Sequence, residues 1–320
     1  MPQRPVQPVA TDEEMRAARS IRDLLVNFGF YEIVGPALLS RASLEPFGFA
    51  PDECILISNP LTASQEALRP SLAPAMLRAM IDNLRSGARD LRLFEVSRIY
   101  SPPSIPGEPP GEILSLCVGL CGERGDHWRH GRQPIDFFDL KSVAEHALDS
   151  CRVEQAEFAP DPPPFLHPGR AARIRWNGRA IGWLGELRFD PPHAAETPQP
   201  LYMLEMQIAP LLRAAVQPRR APIAPKFPAV ERQMSLTISV DVLAARIESV
   251  IRAQSRGLLE SVRLLDIARG DPLPAQRKRM LYRLAYRAAD RVLASEEVDS
   301  LFEQARRSLE TELGAKVGEK

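Results

Sequence analysis

The sequence predicts an α+β protein built from two modules, a larger body and a smaller tail. Three features carry that expectation. In the first two thirds of the chain, helical apolar stripes are interspersed with a two-residue hairpin signal at Asn177-Gly178, and hairpins mixed with helices call for a largely antiparallel sheet. The last third reads as β-α-β-β-α with a short candidate final strand near Lys316. Between them, Pro218 to Pro228 forms a proline cluster; proline fixes φ and donates nothing to a ladder, so the cluster marks a boundary. The expected division is residues 1–217 as body, 218–228 as linker and 229–320 as tail domain.

At 320 residues the chain suits two domains of roughly 150 residues each, with a core large enough to need no disulfide or metal. The 41 Lys and Arg residues balance 41 Asp and Glu, so whole-chain charge announces neither a nucleic acid nor a membrane. No apolar run approaches the roughly 20 residues that span a bilayer, and Met1 to Ala10 lacks the apolar centre of a secretion signal. Four cysteines, Cys54, Cys117, Cys121 and Cys151, sit in apolar surroundings without paired spacing, which suits a reducing compartment. A cytoplasmic protein is expected.

Along the body, Thr11 with Glu14 reads as a capping box, Met15, Ala18, Leu25 and Phe28 share one helical face, and Gly29 ends the helix. A second helix is expected over Ala73 to Arg85, followed by strands over Leu91 to Tyr100 and Ile113 to Cys121. Another helix follows Asp136 and turns Leu140, Val143, Ala144, Ala147 and Leu148 inward. In the tail, Met234, Leu236, Ile238 and Val240 alternate with polar residues, as in a half-buried strand. Asp241 is placed to cap the next helix, whose stripe is Leu243, Ile247, Val250 and Ile251. Strands over Leu259 to Ala268 and Arg279 to Ala288 come next, and Ser295 caps a helix carrying Val298, Leu301, Phe302, Ala305 and Leu309. That order is the ferredoxin-like βαββα(β) unit.

Several candidate sites dissolve on inspection. The chain holds no GxGxxG, GxxxxGK[ST] or G-x-S-x-G pattern. Cys117 and Cys121 lie four residues apart on one strand, some 13 Å at about 3.3 Å per residue, too far to share one tetrahedral ion with His127 and His130. No metal ligands and no catalytic residues are assigned. Asp136 and Asp139 flank Phe137-Phe138 and could do acid–base work, but a carboxylate at a helix start caps free N–H groups, which explains Asp136 without chemistry, and His167 is explained by a polar turn. The tail offers more. Residues 226–320 carry 17 Lys and Arg against 14 Asp and Glu, and eight of those cations fall between Arg263 and Arg291 with only Asp266, Asp271 and Asp290 against them. Alternation puts Arg279, Arg283 and Arg287 on one strand face, beside Ser235 and Thr237, where phosphates could be held; Met280, Tyr282, Leu284 and Tyr286 take the other. No aromatic accompanies them for base stacking.

Residues 59–100, with Asn59-Pro60-Leu61, Leu68-Arg69-Pro70-Ser71-Leu72 and Leu91-Arg92-Leu93-Phe94-Glu95-Val96, resemble the C-terminal half of the phenylalanyl-tRNA synthetase β subunit. So do Asp136-Phe137-Phe138-Asp139-Leu140-Lys141, Leu166-His167-Pro168-Gly169-Arg170 and Ile181-Gly182-Trp183-Leu184-Gly185-Glu186-Leu187. The tail resembles that subunit's ferredoxin-fold anticodon-binding domain through Phe227-Pro228-Ala229-Val230, Tyr282-Arg283-Leu284-Ala285-Tyr286-Arg287 and Asp290-Arg291. These motifs run in family order over nearly the whole chain.

The resemblance implies a class II synthetase-like body without a catalytic site of its own, packed against a catalytic α subunit in a heterotetramer. Leu93 stands where an active motif 2 has arginine, two residues before Glu95, and Gly119 to Arg124 makes a poor motif 3. ATP and magnesium would belong to the partner, with no cofactor held by this chain. The family's upstream tRNA-binding, editing and magnesium-linked modules are not expected in a sequence that starts at Met1. The implied tRNA contacts are Arg232, Asp266, Lys278, Arg279, Arg283, Arg287 and Arg291. The family's Asp-x-Tyr keeps Asp266 but has Ala268 in place of the stacking tyrosine, and Gln233 and Val292 replace the usual aspartate and threonine. Two functions then compete: a noncatalytic synthetase component supporting phenylalanylation of tRNA, and a free-standing paralogue acting as an RNA-binding or regulatory module.

Overall fold

A computed structural model describes residues 12–103, 105, 107–129, 131–153, 155–188, 199–211 and 224–318. The expectations at Thr11, His130, most of Pro191 to Pro200 and the start of the 218–228 cluster lie outside the described residues, as does the His127 side chain. The chain divides into two compact units, Met1–Pro218 and Arg219–Lys320.

Helix α1 (Glu13–Asn27) starts the first unit, and its N-cap is Asp12, whose carboxylate accepts from the Glu14 N–H at 3.0 Å. The face it buries is Ala17, Ala18, Ile21 and Leu25. Met15 and Phe28, expected to share that face, are exposed instead. Strand β1 (Tyr31–Glu32) follows, then β2 (Leu38–Leu39), helix α2 (Arg41–Leu44), β3 (Ile55–Leu56) and β4 (Ala67–Leu68); β2, β4 and β3 make a small sheet. Helix α3 (Ala73–Arg85) spans the residues expected of it.

The main sheet takes β5 (Leu91–Ser101), β6 (Gly111–Cys121), β9 (Glu157–Ala159), β10 (Leu166–Trp176), β11 (Arg179–Leu187) and β12 (Tyr202–Gln207). Its order is β1-β5-β6-β12-β11-β10-β9, antiparallel throughout except for the β1–β5 pair. Between β6 and β9 come a separate ribbon, β7 (Glu123–His127) with β8 (Gly131–Pro134), and helix α4 (Phe137–Ser150). The Asn177-Gly178 turn joins β10 to β11, with both residues at positive φ. Strand alternation splits the core. Phe94, Val96, Leu116, Val118, Leu184 and Leu204 meet α1 and α4 on one face, whereas Leu93, Cys117, Cys121 and Met203 meet Met76 and Met80 of α3 on the other. Each such buried side chain contributes about 1.5–3 kcal/mol. Gly119 lets α3 approach: a Cβ there would lie 2.6 Å from the Met80 sulfur.

The second unit runs β13 (Val230–Ser239), α5 (Ala244–Ala253), β14 (Leu259–Arg269), β15 (Arg277–Tyr286), α6 (Ser295–Leu313) and β16 (Lys316–Gly318). The antiparallel order β14-β15-β13-β16 is that of a ferredoxin-like unit, and the three-residue β16 completes it. Both helices cover one sheet face, burying Met234, Leu236, Ile238, Tyr282 and Tyr286 against Ile247, Val250, Ile251, Val298, Leu301 and Leu309. Asp241 is not the cap of α5, which starts after Leu243, and Ser295 is the first residue of α6, with Ala294 as N-cap.

Candidate nucleic-acid interface

The sheet face of the second unit that its helices leave open is set by the register of three strands. Gln233, Arg283 and Arg263 stand in one row, Ser235, Leu281 and Asp266 in the next, and Thr237, Arg279 and Ala268 in the third. Two bulges in β14 shape this face. The second inserts one residue between Leu264 and Asp266, which flips the alternation and puts Arg263 on the same face as Asp266 although they are three positions apart. Arg263 and Arg279 have no ion-pair partner among the described residues; the Nε of Arg283 lies 3.7 Å from Glu231. Open cations beside serine, threonine and glutamine side chains can grip phosphates without reading bases. Ala268, next to Arg279, offers no ring for a base.

The seven expected contacts separate into two groups. Asp266, Arg279 and Arg283 share the open face. Lys278 does not flank it: the side chain points to the helix side, is 6% exposed, and donates to the carbonyls of Val240 at 3.1 Å and Val242 at 2.6 Å. Burial lowers its pKa. Arg232 is likewise on the helix side, opposite Leu284, and pairs with Asp299 of α6 at 2.8 Å. Arg287 lies just past the end of β15, where alternation no longer governs; its Nε donates to Glu260 at 3.0 Å and a terminal nitrogen donates to the Phe227 carbonyl. Arg291 is held by both oxygens of Glu297, each at 2.7 Å. These four have their donors engaged within the unit. Arg263 is the cation that sequence alternation missed, because no residue pattern announces the bulge.

The body holds its polar groups differently. Across β5, β6, β12, β11 and β10 a single row reads Glu95, Cys117, Glu205, Trp183, Arg173. Glu95 is 2% exposed and takes Arg69 at 2.8 Å. Arg69 donates further to the carbonyls of Arg98 at 3.0 Å and Gly35 at 3.2 Å and to the Ser97 hydroxyl. Gly35 is required there, since a Cβ would lie 2.9 Å from the Glu95 carboxylate and equally close to Ala75. Glu205 anchors the start of α3: it accepts from the Leu72 N–H at 3.1 Å and from the Ser71 hydroxyl, which in turn accepts from the Ala73 N–H. Burial pushes the Glu205 carboxyl up to about 7, and the same burial, with both carboxylates nearby, pushes the Cys117 thiol well up. All four cysteines are buried and free, and no cluster suited to a metal ion occurs among the described residues.

Asp136 and Asp139 close a reciprocal cap on α4. Asp136 accepts from the Phe138 and Asp139 N–H groups, Asp139 accepts from the Asp136 N–H at 2.8 Å, and Arg124 bridges both carboxylates at 2.9 Å. His167 accepts from the Gly169 N–H through Nδ1 at 3.0 Å.

An antiparallel sheet with helices on both faces, joined in one chain to a ferredoxin-like unit with an open basic face, is the layout of a tRNA synthetase chain with an anticodon-binding module. The sequence profile of the phenylalanyl tRNA synthetase beta chain CLM domain matches residues 1–208, and that of the ferredoxin-fold anticodon binding domain matches residues 225–317. The chain belongs to the phenylalanyl-tRNA synthetase β-chain family. The phenylalanine–tRNA ligase beta subunit of Symbiobacterium thermophilum is 36% identical over 82% of this chain and 30% of that protein. That of Anaeromyxobacter dehalogenans is 34% identical over 98% of this chain and 39% of its own length. The chain thus spans about a third of the length of these relatives. Among solved structures, pyrrolysyl-tRNA synthetase from Desulfitobacterium hafniense superimposes with a TM-score of 0.48 at 15% identity, covering 62% of this chain and 68% of that one.

Proposed function

We propose that this chain is a noncatalytic β-type component of phenylalanyl-tRNA synthetase, supporting a catalytic α subunit and contacting tRNA during ATP-dependent phenylalanylation. Residues 1–217 serve as the synthetase-like core, 218–228 as the link and 229–320 as the tRNA-contacting module. The observation that carries the noncatalytic reading is the fate of Glu95. It is closed inside the body on Arg69 rather than presented to a substrate, and Leu93 stands where a triphosphate-clamping arginine would be needed. ATP and magnesium are bound by the partner, in an α2β2 heterotetramer in the cytoplasm.

Exposed apolar side chains around α1 and the β1 edge support a docked partner: Met15 at 66%, Tyr31 at 75% and Val34 at 92% exposure. No helix among the described residues is long and apolar enough to cross a membrane. The decisive experiment is co-expression with the phenylalanyl-tRNA synthetase α subunit of the same organism. A complex stable at micromolar concentration, active only when both chains are present, is the expected result. Pyrophosphate exchange by this chain alone, or failure to form the complex while still binding tRNA, overturns the reading and leaves the free-standing RNA-binding paralogue in its place.

A further inference from the structure

The body contains a cavity of about 220 Å³ on the α3 side of the main sheet, at β10, β11 and β12. One wall is a chain of aromatic rings: Phe47 packs edge-on against Phe165 with centroids 5.2 Å apart, and Phe165 against Trp183 at 5.0 Å. Glu205 lies in the lining, directly opposite Trp183 in the sheet register. At the far end Arg173 donates to the Asp161 carbonyl at 3.1 Å and shares the Asp161 carboxylate with Arg175.

Charge in this region does not balance. Glu95 and Glu205 flank Cys117 in one buried row, and the buried guanidinium nearby, Arg69, is spent on Glu95 and four neutral oxygens. The hydrogen bonds to Glu205 come from neutral donors, among them the Ser71 hydroxyl and the Leu72 N–H, and the Arg69 charge reaches it only through space. A carboxylate retains accepting capacity beyond two such bonds. Aromatic faces are the surroundings in which a cation on an apolar body gains most. The volume is below the ~300 Å³ typical of drug-sized pockets, so the occupant is small.

We propose that this cavity binds a small organic ammonium ion, its charged head against Glu205 and its apolar body along the wall formed by Phe47, Phe165 and Trp183. The site is independent of the subunit reading, since it uses neither the exposed α1 edge nor the second unit. The Glu205 carboxyl, raised to about 7 by burial, makes occupancy sensitive to pH. The other titratable or charged groups facing it are Glu95, Cys117 and Arg173 in the same row and the nearby Arg69; burial pushes the Cys117 thiol well up.

The test titrates the full chain with benzylamine, which remains protonated from pH 6 to pH 8, using benzyl alcohol and phenylacetate as neutral and anionic counterparts. Benzylamine is expected to bind saturably at pH 8, roughly tenfold more weakly at pH 6, and more tightly than either counterpart. Glu205→Gln should remove the pH dependence. Because that change also touches the start of α3, Ala180→Trp, at an exposed lining position, provides a second variant that fills the cavity without disturbing the core; it should abolish binding. Binding of benzyl alcohol as tight as that of benzylamine, affinity indifferent to pH, binding unaffected by Ala180→Trp, or no saturable binding overturns the proposal.

Discussion

Arginine is put to opposite uses in the two units. In the body, Arg69 is 4% exposed and wrapped by the Glu95 carboxylate, three carbonyls and a hydroxyl, so that almost every donor of its fork is used. In the second unit, Arg263 and Arg279 stand on an open sheet face with no ion-pair partner among the described residues. A guanidinium closed into a protein's interior fixes geometry and has nothing left for a ligand. One left in solvent adds little to stability and keeps its donors for a phosphate. Residue type alone does not separate these uses; the strand face does.

The largest effect that tests this contrast belongs to the closed arginine. Arg69→Ala leaves Glu95 buried and unpaired and should cost about 3–5 kcal/mol, read by urea unfolding. All three tryptophans lie in the body, so their fluorescence reports that unit. The double change Arg69→Met with Glu95→Leu should recover much of the loss. Equal stability of the single variant and the parent would show that the pair is not the tie described.

Next in size is Glu205. Its folded pKa of about 7 lies above its ordinary 4.5, so the folded protein holds this proton more tightly than the unfolded chain does. The body is therefore most stable below pH 4.5 with respect to this group, loses stability as pH rises towards 7, and levels off above it, a change of roughly 3 kcal/mol. Glu205→Gln should flatten that slope. An undiminished slope in the variant would place its origin elsewhere.

On the open face, effects on stability should be negligible and effects on RNA binding measurable. Each of Arg263→Ala, Arg279→Ala and Arg283→Ala should reduce the slope of log affinity for tRNA against log salt by about 0.9, equally for all tRNAs. Arg287→Ala should instead lower the melting temperature of the second unit, because its donors hold Glu260 and the Phe227 carbonyl. Ala268→Tyr should add about 1–3 kcal/mol for one base if a base reaches this face. A salt slope lowered by Arg287→Ala and untouched by Arg263→Ala would reverse the assignment of the two groups.

Much of this was legible in the residues, for physical reasons that can be named. Helix α3 runs over the expected residues because its apolar stripe and the flanking turn residues agree. The cap at Asp136 and the Asn177-Gly178 turn are local chemistry that needs no tertiary partner. Alternation in β15 assigned Arg279 and Arg283 to the open face, and applied to Lys278 and Arg232 it places both on the helix side, so the signal was present for them too. What alternation could not convey was the β14 bulge that brings Arg263 round, or the strand end beyond which Arg287 turns to its own clamp. The pairing of Arg69 with Glu95 and of Ser71 with Glu205 joins segments far apart in sequence, and no local pattern encodes such a meeting. Met15 and Phe28 fit a helical stripe yet lie outside, because apolar periodicity does not say whether the covering surface comes from the same chain.

The bond from Ser71 to Glu205 closes a loop of 134 residues, and the Leu72 N–H reaches the same carboxylate across 133. Helix α3 therefore acquires its anchor only when β12, near the end of the body, has joined the sheet. A nascent chain emerging from the ribosome cannot complete this half of the core until residue 205 is free of the exit tunnel, and contacts of such long range slow folding because loop closure precedes any reward from them. During that interval Met76 and Met80 have β5 and β6 against them but not Leu201 and Met203 from the β12 end of their cluster, so a polypeptide stopped before β12 should expose part of this apolar surface and be a ready client for chaperones.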